Sequence, residues 1–451
     1  MDKSTKMKRR KKQNLNEFNI LNPNAAGIDI SSKDYVVSVP NDRDKDNIRT
    51  FGAYTCDLRT IALWLLACKI KTVAMESTGI YWKQLFLVLQ EHGLEVFLVN
   101  SRHVKNVTGK KTDEEDAHWI MRLHTCGLLT NSFQPAEEIR TLRELVRHRK
   151  KVNKSKTIAI NMMTKALNSM NVKLNIVLSD ISSKSGLKII TAINSGERRP
   201  EELIKFVHYK VKAPKEDLLK ALEGAWREES LFELKQATDH YYFLQGQTLE
   251  CDKKIEGQLE MIAAKYSGGD VTGLKDQAVK KYSRKNELNF NTLPYLHKIL
   301  GIDVTQIYGI SDETALTLFA EIGKNLSVFS TANRFTSWIG LAPNNKISGG
   351  KIISSYLPKK KHAVKTALIH AANSLYHSKN AMGDNYRRLK SRIGPKAAKC
   401  AMARKMAIIY YHMVTKKEAF NIELYEKQQA WFKEKRIKLL EAQLASLKNV
   451  A

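Results

Sequence analysis

The chain has 451 residues, enough for two or three domains with separate cores, and its 43% apolar content suits a water-soluble globular protein. No apolar run is long enough to span a bilayer, and the opening MDKSTKMKRRKK lacks the apolar centre of a secretory signal. The net charge of +29, from 75 Lys and Arg against 46 Asp and Glu, calls for a polyanionic partner. No long helix with a clean apolar face offers itself to an anionic membrane, so that partner is nucleic acid. Cys56, Cys68, Cys126, Cys251 and Cys400 are scattered without a CxxC pair. They read as reduced thiols of a cytoplasmic protein rather than disulfides or zinc ligands.

Residues 1–23 form a basic tail, with seven Lys and Arg in the first twelve positions. It either contacts nucleic acid or is simply solvated. From 24 to 138 strands and helices alternate. GIDIS, DYVVSVP and RTFGAY are β-like, the first two joined by a tight turn near Ser32–Lys33. Helices near 57–69 and 81–92 then separate the strands TVAMES and EVFLVN. Three hairpin-like strands followed by alternating α and β describe an RNase H-like fold with Asp29 midway along its central strand.

Asp29 (AAGIDISS) and Glu76 (VAMESTGIYW) follow apolar runs that read as short buried strands. Asp113 and Asp116 (GKKTDEEDAHWI) stand three apart at a helix start and share a face. Four carboxylates from two strand ends and a helix can hold a pair of hard divalent cations such as Mg²⁺ beside a phosphate. Acidic residues also fall at strand ends by coincidence, and pattern alone leaves both readings open. Lys110 and Lys111, just before the paired aspartates, face a phosphate or sit in a solvated loop.

Residues 139–290 are expected to be helical. Their first turns are crowded with cations, among them Arg143, Arg147, Arg149 and Lys150, which suggests a helix that tracks nucleic acid. Further on, Leu234, Tyr241, Thr248, Ile255 and Ile262 repeat every seven residues, with Ala237, Leu244 and Cys251 as companions. This imperfect coiled-coil seam serves either packing within one chain or dimerisation.

A mainly helical unit spans 291–415. ILGIDVTQIYGISDETALTLFAEIG resembles a helix–hairpin–helix, its second helix entered through Ser311 or Asp312 and stopped at Gly323. In NNKISGGKIISS, Ser348 lies in a loop with Gly349 and Gly350 behind it and Lys346 and Lys351 on its flanks. That loop would suit a serine nucleophile approaching a phosphate, but on spacing alone an ordinary Ser-Gly turn is the better account. Lys359, Lys360, Arg387 and Arg388 belong to further basic stretches. Residues 416–451 form a charged helical arm with Trp431 and Phe432.

GIDIS, VAMESTGIYW, RHVKNVTGKKTDEEDAHWI, GLLTNSFQP, MNVKLNIVLSDISSKSGLKIITAINSGERRPEEL, GIDVTQIYGISDETALTLFAEIG, FTSWIGLAPNNKISGGK and YRRLKSRIGPKAAKCAMARKMAIIYYHM occur in this order. Together they resemble the DEDD transposases of the IS-one-ten insertion-sequence family, over roughly residues 24–430. The resemblance implies an α/β RuvC-like domain, a helical coiled-coil middle and a mainly α transposase domain. It implies Asp29, Glu76, Asp113 and Asp116 as the Mg²⁺-binding tetrad, holding two ions, and Ser348 as nucleophile. It further implies a recombinase that forms a 5′-phosphoserine link to DNA, guided by a noncoding bridge RNA. Tetramers would have composite active sites, in a prokaryotic cytoplasm at the nucleoid. The chain departs from the pattern at Ile369 and His370 of ALIHAA, where an arginine is usual; Lys359, Lys360, Lys361 and Lys365 offset that loss. Glu114 and Glu115 between the paired aspartates allow a shifted tetrad. The rival activity is hydrolysis of DNA junctions by a RuvC-like nuclease using the same carboxylates.

Overall fold

The computed structural model describes residues 19–100, 112–266 and 286–448. Lys110 and Lys111 lie outside the described residues. The chain divides into two compact units, Met1–Gln134 and Pro135–Ala451. Among the described residues no helix is long and apolar enough to cross a membrane.

The first unit is built on a five-stranded sheet in the order β3-β2-β1-β4-β5. β1 (Ala25–Ile30), β2 (Asp34–Ser38) and β3 (Ile48–Gly52) are antiparallel neighbours. Ser31 makes the first turn: its Oγ accepts from the amides of Lys33 (3.0 Å) and Asp34 (3.1 Å) and donates to Asp34 Oδ1 (2.5 Å). β4 (Thr72–Glu76) and β5 (Glu95–Val99) run parallel to β1. Parallel pairing needs crossovers, and α1 (Thr55–Ala67) and α2 (Trp82–Glu91) supply them.

The alternation of β1 separates its two faces. Ala26, Ile28 and Ile30 join Ile61 and Leu65 of α1 and Leu85 and Leu89 of α2 in one apolar cluster. Gly27 and Asp29 face the other way, where α3 (Asp113–Thr125) crosses. A smaller cluster of Ala74, Val99, Ile120 and Leu123 seals that side. Asp29 sits one residue before the C-terminal end of β1 rather than midway along it.

In the second unit α4 (Glu137–Ser169), α5 (Lys184–Asn194) and α6 (Glu228–Ala264) share a core. All eight residues of the heptad seam on α6 are buried, and the helix packs on α4 of the same chain. The seam is spent on packing within the chain. The Thr248 hydroxyl is satisfied on the helix itself, donating to the Leu244 carbonyl at 2.9 Å.

The same unit continues through α7 (Leu293–Leu300), ended by left-handed Gly301, and α8 (Asp312–Ile322). Ser311 caps α8 by accepting from the Thr314 amide, and Gly323 stops it at φ +80°. So the expected middle and C-terminal domains fall within one compact unit, because α4 packs on both α6 and α8. Then come α9 (Ala332–Trp338), the hairpin β6 (Asn344–Ser348) and β7 (Lys351–Tyr356), and α10 (Ala363–Ser374). α11 (Ala381–Ile393), α12 (Pro395–Lys416) and α13 (Ile422–Lys448) complete the described chain. Phe335 of α9 stacks near Tyr410 and Tyr411 of α12, and Tyr411 Oη donates to the Phe329 carbonyl at 2.6 Å.

Candidate active site

β1 and β4 are parallel neighbours, with Gly27 opposite Ala74 and Ile28 opposite Met75. The next rung sets Asp29 beside Glu76 on one face. α3 brings its first turn to that face. Thr112 caps it, accepting from the Glu115 amide at 3.2 Å, and Asp113, Glu114, Glu115 and Asp116 fill the first turn. Negative charge is favoured there by the helix dipole, which is why so acidic a stretch starts a stable helix.

Asp29 feels the other three carboxylates. Burial pushes the Asp29 carboxyl up to about 6, with repulsion from Glu76, Asp113 and Asp116 adding to the rise and the Ile30 amide working against it. A field felt from all three partners means that two strand ends and one helix turn converge on a single acidic patch. Among the described residues no group of three or more His, Cys, Asp or Glu closes on a point as metal ligands. The donors are all carboxylate oxygens, the chemistry that hard divalent cations prefer, so the patch fits Mg²⁺ in kind.

Gly27 makes the convergence possible. A Cβ on it would lie 2.2 Å from the Met121 amide nitrogen and 2.4 Å from the Ala117 carbonyl oxygen, both backbone atoms of α3. Only a strand with no side chain at this point admits the helix so closely. Sequence reading passed over this residue; the run Ala25-Ala26-Gly27 before the aspartate was the available signal.

Ser348 ends strand β6 at a hairpin tip instead of lying in a loop. Gly349 (φ +55°) and Gly350 (φ +73°) make the two-residue turn, a left-handed pair that matches the twist of a hairpin. Every residue of β6 is exposed, and Ser348 pairs across the tip with Lys351, also exposed. Cross-strand partners share a face, so a hydroxyl and an ammonium stand side by side in solvent.

Several cations expected at a nucleic-acid surface are engaged by groups of this chain, Arg143 and Arg149 buried and the Arg147 side chain still 47% exposed. Arg149 and Asp252 form a buried ion pair, 3% and 2% exposed at their side chains. The guanidinium also donates to the Asn286 and Glu287 carbonyls, while Asp252 accepts from Asn289. Arg147 grips Glu321 of α8 with two bonds of 2.8 and 2.7 Å, and buried Arg143 donates to the Glu321 carbonyl at 2.7 Å. Lys150 donates to Thr317 Oγ1 at 2.9 Å. A charge run shows only its local sequence; Glu321 and Asp252 lie far along the chain.

The remaining expected contacts divide. Lys346, Lys351 and Lys359 are exposed. Lys360 donates to the Trp338 carbonyl at 2.5 Å. Arg387 ties the Tyr376 and Ser378 carbonyls together and pairs with Asp384. Arg388 lies 3.6 Å over the Phe432 ring.

Residues 26–172 match a family profile described as a transposase of the DEDD IS110 type, and residues 303–387 match one described as Transposase IS116/IS110/IS902 family. The four carboxylates fall in the first match and Ser348 in the second. No curated protein matches the chain.

Proposed function

Because the chain carries the transposase domains of the IS110 family, it is a DNA-processing enzyme, and we propose that it is an insertion-sequence transposase that cuts and rejoins DNA through a 5′-phosphoserine intermediate on Ser348. The observation that supports this most is the shared field at Asp29, which gathers the carboxylates of β1, β4 and α3 into one patch. Asp29, Glu76, Asp113 and Asp116 would hold a pair of Mg²⁺ ions, which when bound neutralise the scissile phosphate and the charge developing on the attacking and leaving oxygens.

Ser348 Oγ forms the new bond to phosphorus as the 3′ oxygen leaves and takes up a proton. The phosphodiester's energy is conserved in the serine ester, so a 3′-hydroxyl from a second strand reverses the step without ATP. The hairpin tip supplies the open approach that this in-line exchange needs. Lys351 across the tip lends positive charge where an anionic phosphate arrives. As in the family it resembles, the carboxylates of one copy would meet the serine of another in a tetramer. Partner choice would be delegated to a bridge RNA. The large positive charge and the lack of a base-reading motif suit that division, since phosphate contacts position but do not specify.

The test is a denaturing gel of protein mixed with Mg²⁺, labelled element-junction and target DNA, and the flanking noncoding RNA. A label at protein mass is expected that disappears with Ser348→Ala, with Asp29→Ala and without RNA. Cleaved DNA with no adduct, and full cleavage by Ser348→Ala, would show a hydrolytic junction endonuclease instead.

A further inference from the structure

A groove of about 510 Å³ opens between α11, α12 and α13. Arg388, Lys405, Lys433 and Arg436 line it, and no ion pair is formed by any of the four among the described residues. The single acidic side chain in its lining, Asp384, is held by Arg387 and by Gln429. The walls are aromatic as well as basic. The Arg388 guanidinium lies 3.6 Å over the Phe432 ring, and the Lys405 ammonium 4.7 Å over Tyr425. Most of these residues lie beyond position 387, where the second family match ends.

We propose that this groove binds an unstacked nucleotide of a single-stranded nucleic acid, the base stacked at Phe432 and Arg388 and the phosphates held by Lys433 and Arg436. Four cations that form no ion pair among the described residues favour an anionic occupant. Phosphodiesters spaced along a strand meet cations set along a helix better than one small anion does. The planar surfaces decide among polyanions: a base stacks on an aromatic ring or on the face of a guanidinium, and the Arg388–Phe432 stack offers such a platform. A duplex hides its base faces and gains nothing from it. An acidic peptide would use the charges and leave the rings idle. The site rests on the transposase reading only for its choice of polyanion, and binding here requires no strand exchange.

The test uses the full-length protein with five-nucleotide DNA and RNA strands carrying one 5-iodouracil, irradiated and mapped by mass spectrometry. Anisotropy titrations of the same strands and of a short duplex accompany it. A cross-link to Tyr425 or Phe432 is expected. Phe432→Leu, which keeps the apolar contact, should weaken single-strand binding at least about fivefold and leave duplex binding unchanged. Exchanging Lys433 and Arg436 together for Ala, at exposed positions that leave the melting temperature alone, should lower the salt slope by about 1.4. The DNA and RNA arms identify which strand is preferred, and preference for either supports the site. Cross-links confined to other regions, or Phe432→Leu weakening duplex and single strand alike, would overturn the proposal. Ser348→Ala should bind like wild type, so loss of strand exchange and loss of this site are separately visible.

Discussion

Gly27 of β1 lies against the backbone of Met121 in α3 with no room for a methyl group: a Cβ there would fall 2.2 Å from the Met121 amide nitrogen. Two residues on, Asp29 points from the same strand face; Asp113 stands one helical turn before Ala117 and Asp116 immediately before it. The glycine therefore sets how closely the acidic first turn approaches the sheet.

Gly27→Ala is expected to force α3 off β1, since the clash is with backbone that cannot rotate away. Overpacking of this kind costs about 1–3 kcal/mol, and a backbone clash belongs at the upper end. The melting temperature of the first unit should fall, and DNA cleavage should drop far more than the residual folded fraction explains. Normal cleavage in a destabilised Gly27→Ala protein would show that the approach of α3 does not set the site.

Asp29→Asn should reverse the change in stability while sharing the loss of activity. The native carboxyl is partly buried and repelled by three others, holding its pKa near 6, so its charge burdens the fold at pH 8. Neutralising it should stabilise the metal-free protein by about 1–2 kcal/mol, allowing for its partial exposure. The same change should abolish DNA cleavage. A more stable and inactive variant is what a strained functional site yields. An unchanged or lower melting temperature would mean that Asp29 is adequately solvated.

Arg149 tests the distinction between charges that hold the fold and charges that face solvent. It and Asp252 are almost wholly buried and wired to Asn286, Glu287 and Asn289. Arg149→Ala leaves a buried carboxylate unpaired and should cost about 3–5 kcal/mol. The salt dependence of DNA binding by the folded fraction should not move. Lys151 and Lys154, exposed on the same helix, should behave the other way on replacement by Ala: stability kept, salt slope lowered. A reduced salt slope in folded Arg149→Ala protein would return Arg149 to the nucleic-acid surface.

What the sequence discloses and what it hides follow from range. The alternation of Ala26, Ile28 and Ile30 is a period-two pattern of neighbours, and the strand and its core face can be read from it. Ser311 and Gly323 announce both ends of α8 through cap chemistry that needs only a few residues. The heptads on α6 reveal a seam, yet its partner α4 is invisible without the packing. Asp29 meets Glu76 through a parallel pairing whose register no local pattern states. The partners of the α4 cations are hidden for the same reason: Glu321 and Asp252 reach them only in the folded chain.

His124 gives the first unit a pH dependence whose sign follows from its burial. The ring is 1% exposed, its Nε2 lies 2.9 Å from Thr72 Oγ1, and Phe97 packs against it at 4.6 Å. Burial pushes its pKa down from 6.5 to about 4. The unfolded chain therefore takes up a proton near pH 6.5 that the folded chain refuses until about pH 4. The stabilising contribution is fully present above pH 6.5 and is lost as the pH falls toward 4, on the order of 3 kcal/mol across the window. His124→Gln lacks a titrating ring, so its melting temperature should fall less than that of wild type between pH 7 and pH 4.5. Measuring both proteins over that range isolates His124 from the other acid-sensitive groups, which titrate in each. Parallel pH profiles for the two would show that the buried ring is protonated as readily in the fold as out of it.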